Sequence, residues 1–335
     1  MSNLLCFGVN LLMIWVLNPL RNKTYSFPTF QCSKKMYYGM LGIISVSALV
    51  SYPRVFGIYF PINLATIYIS TNVIMLMCRR PLRSLPSLLH IGILLLVIAG
   101  GDRVDSIASV IMLMIIARDG IRDSGYAGER NLKLRIIIPV LLILFIVGVA
   151  AGKYRDGKSI HTILFLRSIY AQQTVCDVVF VYLCSVKEWL EAGFEPKVFL
   201  NCIFGLFPGK FYGALSDYNY SVFLNRNVLP NPGGGLYYSE GMLAFGPIGV
   251  LAYAFVYGRI LYYLFIKSRS SRYAAAVFLT LVIMTFRTQW YGIIFCYKPV
   301  IFSLLFCLFT AYWDHLNIFF KNALKGKKKA SSIDR

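Results

Sequence analysis

Long apolar blocks separated by short charged turns set the pattern of this chain. A bilayer core takes roughly 20 helical residues. Blocks near that length at about 4–20, 36–52, 56–77, 85–101, 104–117, 136–151, 243–266, 273–294 and 299–320 predict nine helical spans, with ten or eleven as the upper count. Only the stretch from about 152 to 241 is both long and mixed in polarity. Short helices are expected in it at about 159–173 and 175–192, followed by loops punctuated by FPGK and NPGGG. The expected fold is therefore an all-α polytopic membrane protein with one large external loop. Its regions are N-terminal spans over 1–151, a loop segment over 152–241, C-terminal spans over 242–320 and a basic tail over 321–335.

Charge gives the blocks a direction. The chain carries a formal +20, but its basic residues fall in alternate turns rather than on one patch, which favours membrane orientation over a nucleic-acid partner. One set of turns holds Arg21, Lys23, Lys34 and Lys35; Arg79, Arg80 and Arg83; Arg118, Arg122, Arg130, Lys133 and Arg135; Lys267, Arg269 and Arg272; and the tail KNALKGKKKASSIDR. Short turns of the other set hold only Arg54, Arg103 and Lys298. The first set is expected in the cytoplasm, which puts the N-terminus and the 152–241 segment outside. Residues 1–20 lack a basic start and an Ala-x-Ala-like cleavage site, so a retained span is expected there rather than a signal peptide. The eight cysteines include no CxxC pair. They are expected to act as packing residues, with one external disulfide left open among Cys176, Cys184 and Cys202. His90, His161 and His315 are the only histidines, and no metal-ligand spacing appears.

Polar groups beside the membrane are where chemistry is expected. The outer segment holds Asp156, Asp177, Glu188, Glu191, Glu195 and Asp217 of the chain's 14 acids, with Glu240 at its edge. Arg167 interrupts the apolar stripe of Ile160, Ile163, Leu164 and Tyr170. It either snorkels to headgroups or meets a lipid-linked phosphate, which a guanidinium binds bidentately. Arg155 is a second candidate for that task, and His161 is a structural residue or a proton shuttle. Arg287 stands about 14 residues, roughly 21 Å, along its span. An arginine at that depth is a functional candidate, the plain alternatives being a buried ion pair or snorkelling. In GGDRVDS, Asp105 or Ser106 is expected to open the next helix, or a carboxylate there to reach the same external cavity.

The segment NPGGGLYYSEG adds three consecutive glycines, Gly233, Gly234 and Gly235, whose backbone can approach a ligand closely and form an anion-binding nest. Glu240 then sits at a helix start. There it either complements the helix dipole or, half out of water, acts as a base toward an acceptor hydroxyl. Gly246, Pro247 and Gly249 predict close packing or a kink. Phe204, Phe207, Phe211, Tyr212, Tyr218, Tyr220, Tyr237 and Tyr238 suit an interfacial belt or a glycan groove.

FPGK (Phe207–Lys210), PGGGLYYSE (Pro232–Glu240), FGPIGV (Phe245–Val250) and the earlier GKYRDG turn with its arginine-bearing helix resemble the bacterial oligosaccharide repeat-unit polymerases, the Wzy-type O-antigen and capsular polysaccharide polymerases. The resemblance covers about 152–258 and elsewhere only the hydropathy profile. It implies a GT-C-like membrane glycosyltransferase at the outer face of the bacterial inner membrane, needing no nucleotide sugar, cofactor or metal. The growing glycan would pass from undecaprenyl diphosphate to the sugar of a new undecaprenyl-diphosphate-linked oligosaccharide. Under that resemblance Glu240 is the expected base, with Asp156 and His161 behind it. Arg155, Arg167 and Arg287, assisted by Lys210 and the Gly233–Gly235 backbone, would hold the diphosphate. Membrane lipids and a chain-length regulator are the other expected partners. The rival readings are an O-antigen ligase, a flippase or transporter of lipid-linked oligosaccharide, and a non-catalytic scaffold. A transporter calls for internal repeats and mid-membrane charges, which the sequence does not display.

Overall fold

The computed structural model describes residues 2–20, 23, 27–30, 33–51, 64–78, 85–99, 104–119, 139, 142–143, 146, 173–204, 217–218, 223, 236 and 238–330. Ten α-helices and no strands occur among them: α1 (Ser2–Leu17), α2 (Lys34–Ser51), α3 (Ala65–Met77), α4 (Leu85–Ala99), α5 (Val104–Asp119), α6 (Gln173–Ala192), α7 (Pro196–Phe204), α8 (Ser239–Ser268), α9 (Arg272–Tyr291) and α10 (Tyr297–Ala330). A 3-10 turn, Ile293–Cys296, makes the corner between α9 and α10. Eight of the nine predicted blocks coincide with described helices. The block at 136–151 lies outside the described residues apart from four isolated positions.

By length and composition, one described helix, α8, qualifies to cross a membrane. Phe7–Leu20, Lys35–Ser51, Ala65–Met77, Leu85–Ile98, Asp105–Met114, Arg272–Thr285 and Tyr297–Trp313 are apolar but shorter. The middle of the bundle is α3, buried on every side from Tyr68 to Met77, a pattern expected of a helix with no solvent face. It packs against α2, α5, α9 and α10.

Large apolar side chains lie on the outside of this bundle as well as in its core, and a small polar cluster is buried within it. The outward faces of α1, α4, α8 and α10 carry Trp15, Leu88, Leu96, Ile248, Val256 and Phe309, all exposed. Inside lie Asn72, His90, Asp105, Ser106 and Ser109, none more than 1% exposed. Such groups are tolerated inside when hydrogen-bonded, and each of them makes at least one polar contact. His90 Nε2 donates to Asn72 Oδ1 at 2.8 Å, since an amide oxygen can only accept. The Asn72 amide donates to Ser109 Oγ at 2.5 Å, and Ser109 Oγ donates to the Asp105 carbonyl at 2.6 Å. Tyr68 and Ser106 share a further bond of 2.7 Å.

Contacts sort the helix termini into two ends. At one, the N-terminal turns of α3 and α5 meet through Tyr68 and Ser106, and Ser70 donates to the carbonyl of Pro299 at the start of α10. At the other, the Phe30 N–H donates to Met77 at 3.0 Å and the Arg272 guanidinium stands over the Phe30 ring. Helix α1 runs alongside α8 in the same direction, because Val9 packs with Tyr238 and Met242 while Val16 reaches Gly258. Cys78 at the second end is disulfide-bonded. That departs from the expectation of packing cysteines, and from the reduced thiols of a cytoplasmic face.

Helix α8 is two helices joined at a sharp break. Gly246 has φ 63° and ψ −151°, a combination open essentially to glycine alone. Pro247 then starts the second helix, where its missing N–H costs nothing. The break brings residues 239–245 back against the longer piece, so that Gly241 and Gly249 touch backbone to backbone. A Cβ on Gly246 would lie 2.6 Å from Trp189 Nε1 of α6. The expected span at 243–266 is corrected accordingly: its first turn belongs to a separate short helix that ends at the break. At Gly249 an added Cβ would overlap the Gly241 carbonyl and approach Phe245 Cβ at 2.8 Å. Overpacking of this kind costs about 1–3 kcal/mol, so Gly249→Ala is expected to lower the thermal unfolding midpoint of the detergent-solubilised protein. An unchanged midpoint would mean the two pieces are not locked together.

Candidate active site

Residues of α5, α7, α8 and α10 gather around the Ile293–Cys296 corner, at the end where α8 begins and α9 finishes. The fold-back of α8 decides who the neighbours are. By sequence Tyr253 lies 13 positions beyond Glu240, yet a Cβ on Gly241 would sit 2.9 Å from the Tyr253 ring.

Glu240 is 3% exposed. This corrects the expectation of a carboxylate half out of water: the short helix lies under α7, where the Glu195 N–H donates to the Leu243 carbonyl at 3.0 Å. The Ile293 N–H and the Cys202 thiol face the Glu240 carboxyl, and Oε2 has no hydrogen-bond partner among the described residues. No arginine or lysine is among the groups shaping its surroundings. Cys202 in turn meets the Tyr297 phenol at 3.5 Å. The Tyr253 hydroxyl lies beside the same thiol without a well-oriented hydrogen bond. Burial, and then the Glu240 carboxyl, push the Cys202 thiol well above its ordinary range. Cys202 therefore stays protonated and is a donor, not a nucleophile.

Arg287 in the last turns of α9 pairs with Asp105 in the first turn of α5, Nη2 to Oδ2 at 3.0 Å. The two side chains differ in burial, 23% exposed for Arg287 and 1% for Asp105. Neither Asp105 nor Ser106 is the residue that opens α5: the helix starts at Val104, and Asp105 reaches sideways to the arginine. The Ile293–Cys296 corner follows directly on α9, which carries Arg287, and its Ile293 N–H faces Glu240, so the ion pair and Glu240 lie at the same end of the bundle. Arg287, for which a buried ion pair was the plain alternative to an anion ligand, thus has a resident counter-ion, and Glu240 has none among the described residues.

Of the sequence-predicted site residues the structure brings Glu240 and Arg287 to the same corner. Arg155, Asp156, His161, Arg167, Lys210, Gly233, Gly234 and Gly235 lie outside the described residues. Cys184 and Cys202 are free and buried, and among the described residues no group of three or more His, Cys, Asp or Glu side chains could hold a metal ion. Tyr253, Cys296 and Tyr297 carried no sequence signal, and Cys202 stood out only as a possible disulfide partner, which it is not; their convergence depends on the break at Gly246. Asp105 did carry one, as an acid in an outer turn.

No family model, curated protein or solved structure matches this chain.

Proposed function

We propose that this protein is a membrane glycosyltransferase that polymerises lipid-linked oligosaccharide repeat units, taking a growing glycan from a polyprenyl diphosphate and joining it to the sugar of a new lipid-linked unit. The observation that carries the reading is Glu240, a buried carboxyl with one oxygen lacking a hydrogen-bond partner among the described residues, beside the corner that follows α9, the helix whose Arg287 pairs with Asp105. In the reaction the acceptor hydroxyl forms the new C–O bond and gives its proton to Glu240. The bond between the sugar carbon and the diphosphate breaks, and its electron pair leaves on the diphosphate. A guanidinium is suited to that developing charge, and a preorganised cation is among the largest contributions a site can make. A carboxyl screened from water is suited to the proton.

Membrane embedding, with about nine spans in a GT-C-like arrangement, is part of the same reading. Its support is the many exposed apolar side chains, the hydrogen-bonded polar cluster inside and the two ends of the bundle. The outer turns of the charge pattern meet at one end, at Tyr68, Ser106, Arg287 and Pro299. Arg272, an inner-turn residue, meets Phe30 at the other. On this reading the protein sits in a bacterial inner membrane with the Glu240 end outward. Incubating the purified protein with undecaprenyl-diphosphate-linked repeat units, without nucleotide sugar, tests the proposal. A ladder of products one repeat apart is expected; recovery of single units alone rejects it.

A further inference from the structure

We infer that Asp105 is a positioning residue for Arg287, and that His90, Asn72 and Ser109 form the strut that fixes Asp105, so that the guanidinium is presented as a receptor for the phosphates of a polyprenyl diphosphate. The inference rests on the polymerase reading for its ligand and on the geometry for everything else.

Three observations carry it. The first is the asymmetry of the pair: the carboxylate is 1% exposed and the guanidinium 23%. An acid wholly inside meets the guanidinium at one nitrogen, Nη2, while the arginine side chain stays partly exposed. Both partners of a purely structural pair would be expected to share one environment.

The second is the strut. A continuous donor chain runs from His90 on α4 through Asn72 on α3 to Ser109 on α5 and ends on the Asp105 carbonyl. Next to it the Tyr68 hydroxyl holds Ser106. The last link is a serine back-bond to the α5 backbone, so the chain fixes α5 against α3 and α4 at the residue whose carboxyl reaches Arg287 on α9. Apolar side chains of similar size would hold these helices together at no greater cost, but they could not set the direction of a guanidinium. Buried polar groups in a membrane bundle mark function by default, and this set leads to Arg287.

The third is the neighbourhood. Arg287 stands in the last turns of α9, and the Ile293 N–H just beyond that helix faces the Glu240 carboxyl, so whatever Arg287 binds lies at the same end of the bundle as the carboxyl proposed as the base.

The sign of the charge effect makes the inference testable. Through electrostatics alone an aspartate beside a diphosphate site repels the ligand, and removing its charge should tighten binding. Through positioning the same change loosens the guanidinium and should weaken binding. Calorimetric titration of the full-length protein in detergent micelles with farnesyl diphosphate, and in parallel with inorganic pyrophosphate, separates the two. Asp105→Asn is expected to weaken farnesyl diphosphate binding about tenfold or more, the scale of a lost hydrogen bond to a charged group. Asp105→Glu is expected to stay within about threefold of wild type, and Ser109→Ala, which keeps both charges, to lose about threefold through the strut alone. The double variant Asp105→Asn/Arg287→Lys should bind no more weakly than Arg287→Lys, because the acid acts only through the arginine.

Unchanged or tighter binding by Asp105→Asn overturns the inference. If that variant does not fold, wild-type affinity in Ser109→Ala overturns it instead. Equal affinity for the two probes overturns the lipid-borne ligand. A wild-type protein that binds neither probe sinks the polymerase reading itself, whereas wild-type binding insensitive to Asp105 sinks only the positioning role.

Discussion

Glu240→Gln is expected to leave the protein in the membrane at its normal level and to reduce chain extension about 10²- to 10⁴-fold, the range by which a positioned general base accelerates a reaction. The substitution preserves the shape of the side chain and its ability to accept from the Ile293 N–H and the Cys202 thiol, so the folded-back helix of residues 239–245 keeps its contacts. What it removes is the capacity to take a proton. Surface glycan should collapse to single repeat units, with lipid-linked substrate accumulating. Long chains at wild-type density from Glu240→Gln would show that the buried carboxyl is a packing element, and the assignment of chemistry to this corner would go with it. Cys202→Ser is the useful companion, since it keeps a donor toward Glu240 and an acceptor for the Tyr297 hydroxyl while replacing the thiol; if the thiol is no nucleophile, extension should survive it.

Arg287→Lys is expected to lower chain extension by about 10²-fold, comparable to removing one donor from a preorganised anion site, while the protein stays folded. Lysine keeps a positive charge against Asp105 but has neither the planar fork nor its fixed donors. Arg287→Ala is the poorer experiment. It strands a carboxylate that is 1% exposed, and breaking a buried pair in this way costs about 3–5 kcal/mol, so lost activity would be confounded with lost protein. Comparing product ladders with the level of folded protein in the Lys variant separates the two. Full extension by Arg287→Lys would mean that charge alone, not directed hydrogen bonding, is needed at this position, and a bidentate diphosphate contact would be ruled out.

The helices were legible from the chain because apolar block length is a local property. The block read at 36–52 is the helix Lys34–Ser51, and the short helix read at 175–192 is Gln173–Ala192. The Gly246–Pro247–Gly249 signal gave both a break and a close approach, since a residue lacking Cβ next to one lacking N–H has few other uses inside an apolar helix. Glu240 and Arg287 stood out because charge beside or within an apolar run is expensive. Their surroundings did not stand out. Arg287 offered snorkelling, a phosphate or a buried partner, and nothing in TFRTQWYG distinguishes these; Asp105 lies far away in the chain and reaches it only because α5 packs on α9.

The sequence by itself therefore determined the helical character of the described residues, the approximate place of every described helix except Pro196–Phe204, which falls where loops were expected, and the two charged residues that need explaining, because hydrophobic period, glycine and proline act over a few positions. Tertiary structure alone decided that Glu240 is shut away from water among Cys202, Tyr253 and Tyr297, that Arg287 is held by Asp105, and that a donor chain from His90 backs the pair. The physical reason is that burial and partner choice depend on which helices pack together, and here that follows from a reversal at one glycine and from contacts between residues more than a hundred positions apart.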